Sequence, residues 1–492
     1  MSKRLTLDLG IRITHFTPWS DRTGAGYSIF DYSQYKSTCA PTDYCGFLWH
    51  KRDPNVPLSG FPGRTALFQP RVGAAYDLFG SGKTVLRGGW GRFYYHSGQF
   101  TNGLDVAAGV QSISLSNNQG VGAGPLLARQ LDTLNFASAA LSPAAVDSKD
   151  DRQPYTDSYS FTVAQRTPWS SLLEVAYVGN RSRDLAQSGG QGSDINLVPA
   201  GTLLASKNGG VDPNSLTPDN FRPLKGFSNI GLATNGLYSN YNALQTTWIR
   251  TKGKYVINLN YTYGKSLGIV SPTLDRFNLR NDYGVLPNNR KHIFNIAYSL
   301  ELGNPTRNRG LGYAINGWQV SGIAQWQSGP NLSGLSSNNA FGTSYNSLKI
   351  PGTTYNVSNV SLLGTDAIQL NPLVTCDPGS GLAKNQFVNP NCFAAQTAVG
   401  QNGPSVLPAV YGPAFFNADL GIFKNIQMGE TRRLQLRLNA YNFLNHPLWS
   451  FNGGNLNLGF DGTTGKVNTP LFGTVTEKQG HRIVQVALKY YF

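Results

Sequence analysis

No stretch of the 492-residue sequence reaches about 18 consecutive apolar residues, the length that a membrane-crossing helix needs. A helical membrane protein is thereby excluded. Charge is scarce as well: Asp, Glu, Lys and Arg together make up 14% of the chain, against about 25% in an ordinary soluble domain. Catalytic signatures are also missing. The six histidines, His15, His50, His96, His292, His446 and His481, form no HExxH or other close ligand pair. No GxSxG nucleophile motif occurs. The segment GSGKT at 80–84 ends like a phosphate-binding loop, but Asp77 stands where that loop needs glycine, and a strand pattern follows instead of a helix. It reads as a hairpin turn. The expectation is a protein that is not an enzyme and has no cofactor or metal site.

What is present points elsewhere. Aromatic residues reach 12%, with 24 Tyr, 25 Phe and 8 Trp, and there are 56 glycines. Mean hydropathy is −0.27, a value a β-barrel tolerates because only alternate strand residues face lipid. The net charge is +15, but Lys and Arg are scattered and form no patch, so no nucleic-acid partner is expected. Period-two alternation recurs throughout. In 255–263, Tyr255, Ile257, Leu259, Tyr261 and Tyr263 oppose Val256, Asn258, Asn260 and Thr262. In 294–301, Phe294, Ile296, Tyr298 and Leu300 oppose Asn295, Ala297, Ser299 and Glu301. In 433–440, Leu434, Leu436, Leu438 and Ala440 oppose Arg433, Gln435, Arg437 and Asn439. Charge keeps to the second face, as it must if the first meets lipid, where Lys or Arg costs about 2–4 kcal/mol at the midplane.

The pattern predicts about twelve strands, at 4–13, 70–79, 83–95, 155–165, 171–179, 240–250, 255–264, 290–301, 314–326, 414–424, 431–443 and 481–492. Short and long gaps alternate between them, as short periplasmic turns and long extracellular loops do. The longest gap, 327–413, is rich in Asn, Ser, Gly and Pro and reads as irregular. Loops of this length either fold onto one another or carry function. His292 and His481 stand at strand starts and read as residues of the periplasmic rim; His96 reads as outer-rim. The fold class is all-β, an antiparallel transmembrane barrel, and residues 1–492 show no internal domain boundary.

The last strand carries the most information. Val484, Val486, Leu488, Tyr490 and the terminal Phe492 share one face, while Gln485, Ala487, Lys489 and Tyr491 share the other. An exposed aromatic strand is an aggregation hazard in water but suits a barrel. The ending resembles the C-terminal signal read by the bacterial barrel-assembly machinery. Arg433, Arg437 and Lys489 are expected to face the lumen, where long charged side chains stay wet. The cysteines form two local pairs, Cys39/Cys45 and Cys376/Cys392, without CxxC spacing. Both pairs fall in long gaps and are expected as disulfides of an oxidising compartment. The aromatic clusters Trp90/Phe93/Tyr94/Tyr95, Trp318/Trp326 and Tyr490/Tyr491/Phe492 read as interfacial girdles rather than sugar platforms.

Several segments together resemble one family: RLTLDLGIR (4–12), FQPRVGAAYDLFGSGKTVLRGGWGRFYY (68–95), YVGNRSRDL (177–185), YNALQTTWIR (241–250), NRKHIFNIAYSLELG (289–303), GWQVSGIAQWQSG (317–329), LNAYNFLNHP (438–447) and RIVQVALKYYF. They look like the C-terminal barrel of TonB-dependent outer-membrane transporters, in particular the Oar-like subgroup. That resemblance implies import of a large or scarce nutrient, such as an oligosaccharide, peptide or metal chelate. It also implies a plug domain, a TonB-gripping box and a barrel of about 22 strands. The sequence shows no box, plug or signal peptide, so the chain is expected to be a piece of a longer protein, touching TonB only through the missing N-terminal plug region. Expected partners are outer-membrane lipid, lipopolysaccharide and the assembly machinery; the expected location is the cell outer membrane. Two alternatives stand beside it: a self-contained passive channel or surface adhesin barrel, and a soluble secreted all-β carbohydrate-binding protein.

Overall fold

A computed structural model describes residues 4–17, 20, 24–38, 43–60, 63–96, 142–187, 194–269, 274–332, 341, 343–345, 347–429 and 431–492. Twelve long strands run through it: β1 (Leu5–Thr14), β2 (Leu67–Asp77), β3 (Thr84–Tyr94), β4 (Tyr155–Thr167), β5 (Ser171–Gln187) and β6 (Gly231–Arg250). The second half holds β7 (Tyr255–Ile269), β8 (His292–Gly303), β9 (Trp318–Gln327), β10 (Phe415–Gln427), β11 (Arg433–Tyr441) and β12 (Ile483–Tyr491). Each pairs antiparallel with the next, in chain order, in one sheet. Short loop strands join its margin. Among the described residues no ladder joins β1 to β12.

Register explains why alternation in sequence becomes two faces in space. Directly paired residues point to the same side, and the pairings chain across the whole sheet. Leu9 opposes Val72, Val72 opposes Trp90, and Trp90 opposes Tyr159. Further on, Leu259 opposes Ile296, Ile296 opposes Ala324, and Leu438 opposes Val486. These residues form one apolar face spanning all twelve strands. The other face carries Asp8, Arg87, Glu174, Asn260, Asn295, Gln325, Asn417, Arg437 and Gln485. The apolar face is open: Leu9 is 68% and Val486 74% exposed. In lipid such a face meets its proper solvent, and the ladders satisfy the backbone groups that lipid cannot.

The strand ends differ in kind. Between β2 and β3, the Asp77 carboxylate accepts hydrogen bonds from the backbone N–H of Gly80 (3.0 Å) and Gly82 (2.8 Å). Both glycines have positive φ, which a side chain would resist. The 80–84 segment is thus a hairpin turn leading into a strand. A short helix, α1 (Arg309–Ile315), occupies the turn between β8 and β9. It corrects the expected strand start at 314: Asn308 caps it by accepting from Leu311 N–H, and pairing begins only at Trp318. At the opposite end β5, β6 and β7 run past their expected limits: Leu185, Ala186 and Gln187 of β5 pair onward with Leu237, Asn235 and Thr234 of β6, and Leu267, Gly268 and Ile269 of β7 pair with Val285, Gly284 and Tyr283.

The packed cores lie in the long connections. One cluster draws Leu274, Leu332, Leu362, Val388, Phe393, Leu458, Phe460 and Phe472 from the connections after β7, β9 and β11. A second draws Phe47, Ala145, Leu224, Phe227 and Ile230 from those after β1, β3 and β5. The gap 327–413 is therefore not simply irregular. It holds α2 (Asn359–Leu363), the paired short strands Leu373–Val374 and Phe393–Ala394, and much of the first cluster.

Candidate functional site

The two loop bodies meet on backbone. Gly201 N–H donates to Leu363 O (2.8 Å) and Leu203 N–H to Gly364 O (3.0 Å). Gly364 ends α2 with φ +64°, and a Cβ there would stand 2.6 Å from the Gly201 backbone; only glycine allows this approach. Buried Asn196 organises the neighbouring turn. Its side-chain amide donates to the carbonyls of Leu224 (3.0 Å), Phe227 (3.1 Å) and Ser228 (2.8 Å) and accepts from Leu224 N–H (2.7 Å).

At this junction lies a knot of charge. Arg222 is 3% exposed. Its Nε donates to Asp219 (2.7 Å), its Nη2 to Asp366 (2.5 Å) and its Nη1 to Asn196 O (2.9 Å). Asp194 lies within 4.0 Å of Arg222 and 3.8 Å of Arg276. Burial pushes the Asp194 carboxyl up, against the pull of backbone N–H donors and both arginines. Nearby Asp282, fully buried, is pushed up to about 7 by burial, with the Asp275 charge adding to the shift. Taking such charges out of water is costly unless they are well paired. The knot ties together the connections after β5, β7 and β9. A pocket of about 580 Å3 adjoins it, with Arg276 and Asp366 in its wall.

The polar face of the sheet offers a second concavity, about 500 Å3, lined by Asn258, Ser299, Asp419 and Asn439 among others. Arg437 lies on this face. Its Nε donates to Gln435 Oε1 (2.6 Å) and its Nη2 to Tyr491 Oη (3.0 Å). The Arg433 guanidinium sits 4.4 Å over the Tyr491 ring. Lys489 opposes Gln435 on the same face and is exposed. Val484, Val486, Leu488 and Tyr490 lie on the apolar face through their pairing with Ala440, Leu438, Leu436 and Leu434. Phe492 follows the strand and is 96% exposed.

Cys376 and Cys392 form a disulfide in the first loop body. Cys45 is disulfide-bonded; Cys39 lies outside the described residues. His292 corrects its expected place. It begins β8 after a long connection, so it stands at the long-loop end, not the short-turn end. There it hydrogen-bonds Tyr261 Oη (2.8 Å) and packs against Tyr263 and Trp326. His481 likewise precedes β12 at the long-loop end. His96 contacts Thr17 O (3.0 Å) at that same end. Trp90, Tyr94, Trp318 and Trp326 all face the apolar side, whereas Phe93 faces the polar one.

Sequence reasoning missed Lys424, a cation on the apolar face. It opposes Trp318 at the short-turn end, donates to Asn316 O beside α1, and lies 5.3 Å from the Trp318 ring centre. It also missed the charge knot, whose members are spread from Asp194 to Asp366. Among the described residues no group of three or more His, Cys, Asp or Glu is placed to hold a metal ion.

A family model described as an outer membrane β-barrel domain matches residues 1–485. No curated protein matches the chain. Among solved structures it is similar to the outer membrane transporter YddB of Escherichia coli, at 10% identity and TM-score 0.37, over 87% of this chain and 41% of that one. The siderophore receptor PirA of Acinetobacter baumannii matches at 10% identity and TM-score 0.38, again over 87% and 41%. The ferric-catecholate import receptor Fiu of E. coli K12 matches at 9% identity and TM-score 0.39, over 100% and 43%. The chain thus spans less than half the length of each of these structures.

Proposed function

The chain belongs to the outer membrane β-barrel domain family, and from that premise we propose that it is the C-terminal barrel portion of a TonB-dependent transporter of the Oar-like subgroup. It is a protein of the cell outer membrane and its family is one of barrels, not enzymes. The cargo is a large or scarce nutrient: an oligosaccharide, a peptide or a metal chelate. The long-loop end captures it, and the polar face of the sheet lines its path. TonB acts through a plug supplied by the parent protein, and the final strand is read by the assembly machinery.

The observation that carries this reading is the division of labour in the fold. A mainly apolar face extends over twelve strands, a polar face backs it, and the packed cores sit in loops at one end. A soluble sandwich would bury its apolar strand face, whereas here that face is open. The family resemblance of the strand segments supports the step from barrel to transporter. The test uses cells expressing the parent gene. Cargo uptake that stops when TonB is deleted supports the proposal. Uptake or solute leakage unaffected by that deletion overturns it in favour of a passive channel.

A further inference from the structure

The pocket beside the charge knot has a chemistry that discriminates among cargo classes. It is walled by parts of the connection after β9, with Arg276 contributed by the connection after β7. Arg276 and Asp366 are its charged groups. Neither is free to attract an ion. Arg276 is held 3.8 Å from Asp194, and Asp366 binds Arg222. The knot behind the wall has Asp194, Asp219 and Asp366 against Arg222 and Arg276, so it offers an anion no net attraction. A ferric chelate or an acidic glycan would lose its hydration here without a cationic partner in return.

The neutral groups point to hydroxyls. Asn356, Gln369 and Ser358 line the pocket, and amide and hydroxyl side chains both donate and accept. That dual capacity matches a ligand made of many hydroxyls, each of which also does both. Tyr345 supplies an aromatic surface, held by stacking on Phe460 with ring centres 5.4 Å apart and planes 13° from parallel. Among the described residues, four in the wall also keep a buried polar atom without a hydrogen-bond partner: Arg276 Nε, Thr343 Oγ1, Tyr345 Oη and Asp366 Oδ1. Such groups are uncommon in folded proteins and call for a cause. A ligand hydroxyl drawing these side chains inward supplies one.

We propose that this pocket binds an uncharged oligosaccharide. The inference rests on the import reading above and narrows its cargo to one class. Because Arg276 and Asp366 belong both to the pocket and to the knot, ligand contact bears directly on the packing of three connections. The site therefore couples capture to loop arrangement.

The test is saturable binding by the full chain in detergent micelles. The probes are an array of neutral hexasaccharides (gluco-, xylo-, manno- and galacto-), an oligogalacturonate and a ferric tris-catecholate. Asn356 and Gln369 are exposed, so Asn356→Leu and Gln369→Leu remove polarity without touching a core. The expected result is saturable binding of at least one neutral glycan, weakened at least tenfold by each variant. Lys466→Ala, in a neighbouring cavity, should leave it unchanged. Binding confined to the acidic or ferric probes overturns the proposal, as does neutral binding that ignores both variants. TonB-dependent uptake of a ferric or acidic probe would then leave the import reading standing alone. No binding of any probe, together with TonB-independent leakage in cells, would sink both.

Discussion

Leu436 and Arg437 are neighbours in sequence and face different solvents. Leu436 opposes Leu488 on the apolar face, while Arg437 opposes Ala487 and bonds Gln435 and Tyr491 on the polar one. Placing a cation at the first position costs about 2–4 kcal/mol at the bilayer midplane, so Leu436→Arg should abolish membrane-inserted protein. Arg437→Ser should assemble at near the native yield. Equal yields from outer-membrane fractions would contradict the facing assignment. Asp282 supports a second prediction. Its carboxyl stays protonated to about 7 when buried, well above the ordinary value. The folded pKa is raised, so its contribution to stability is present in acid and fades as pH rises through neutrality. The loop body should therefore resist protease better at pH 5 than at pH 8, and Asp282→Asn should lessen that difference by protecting it at pH 8. An unchanged pH dependence in the variant would remove Asp282 from the account. Facing was legible at these positions because charge on a lipid face is penalised residue by residue. Asp282 was not legible: nothing in NLRNDYG (278–284) announces that its carboxyl is buried.

The strands show where local pattern suffices and where it stops. Each of the twelve expected segments overlaps one of the twelve strands, because a period of two over about ten residues is what a half-lipid, half-water environment demands. Their ends are less legible. β5 and β6 continue into the loop region by pairing with each other, and above the membrane no lipid face enforces alternation. α1 replaces an expected strand start because a cap at Asn308, not hydrophobic period, decides that turn. The long connections were the least readable, since their cores join residues far apart, such as Leu274 with Leu458 and Phe472. The Cys376–Cys392 disulfide closes one such excursion, with a sequence separation of 16. Cross-linking a loop of about 15 residues contributes about 3 kcal/mol in the chain-entropy model. Replacing both cysteines with serine should speed tryptic cleavage at exposed Lys384, while cleavage elsewhere in the loops stays slow. Identical digestion patterns would show that the surrounding core holds the excursion unaided.

At the scale of the molecule, two environments divide the work. Lipid and the ladders stabilise the sheet, whereas apolar packing stabilises the two loop bodies. The class of fold was readable from composition and the two-residue period together: few charges, many aromatics, no helical span and recurring alternation. The candidate site was not, because the charge knot and its pocket arise only when the connections after β5, β7 and β9 converge. The central claim is that one face of this sheet meets lipid and the other meets water. The direct measurement is a quenching scan along β7 in bilayers, with a fluorophore attached at single introduced cysteines from Ile257 to Thr262. Labels at Ile257, Leu259 and Tyr261 should be quenched by a lipid-borne quencher, and labels at Asn258, Asn260 and Thr262 by a water-soluble one. Quenching without a two-residue period, or with the two sets reversed, would contradict the account.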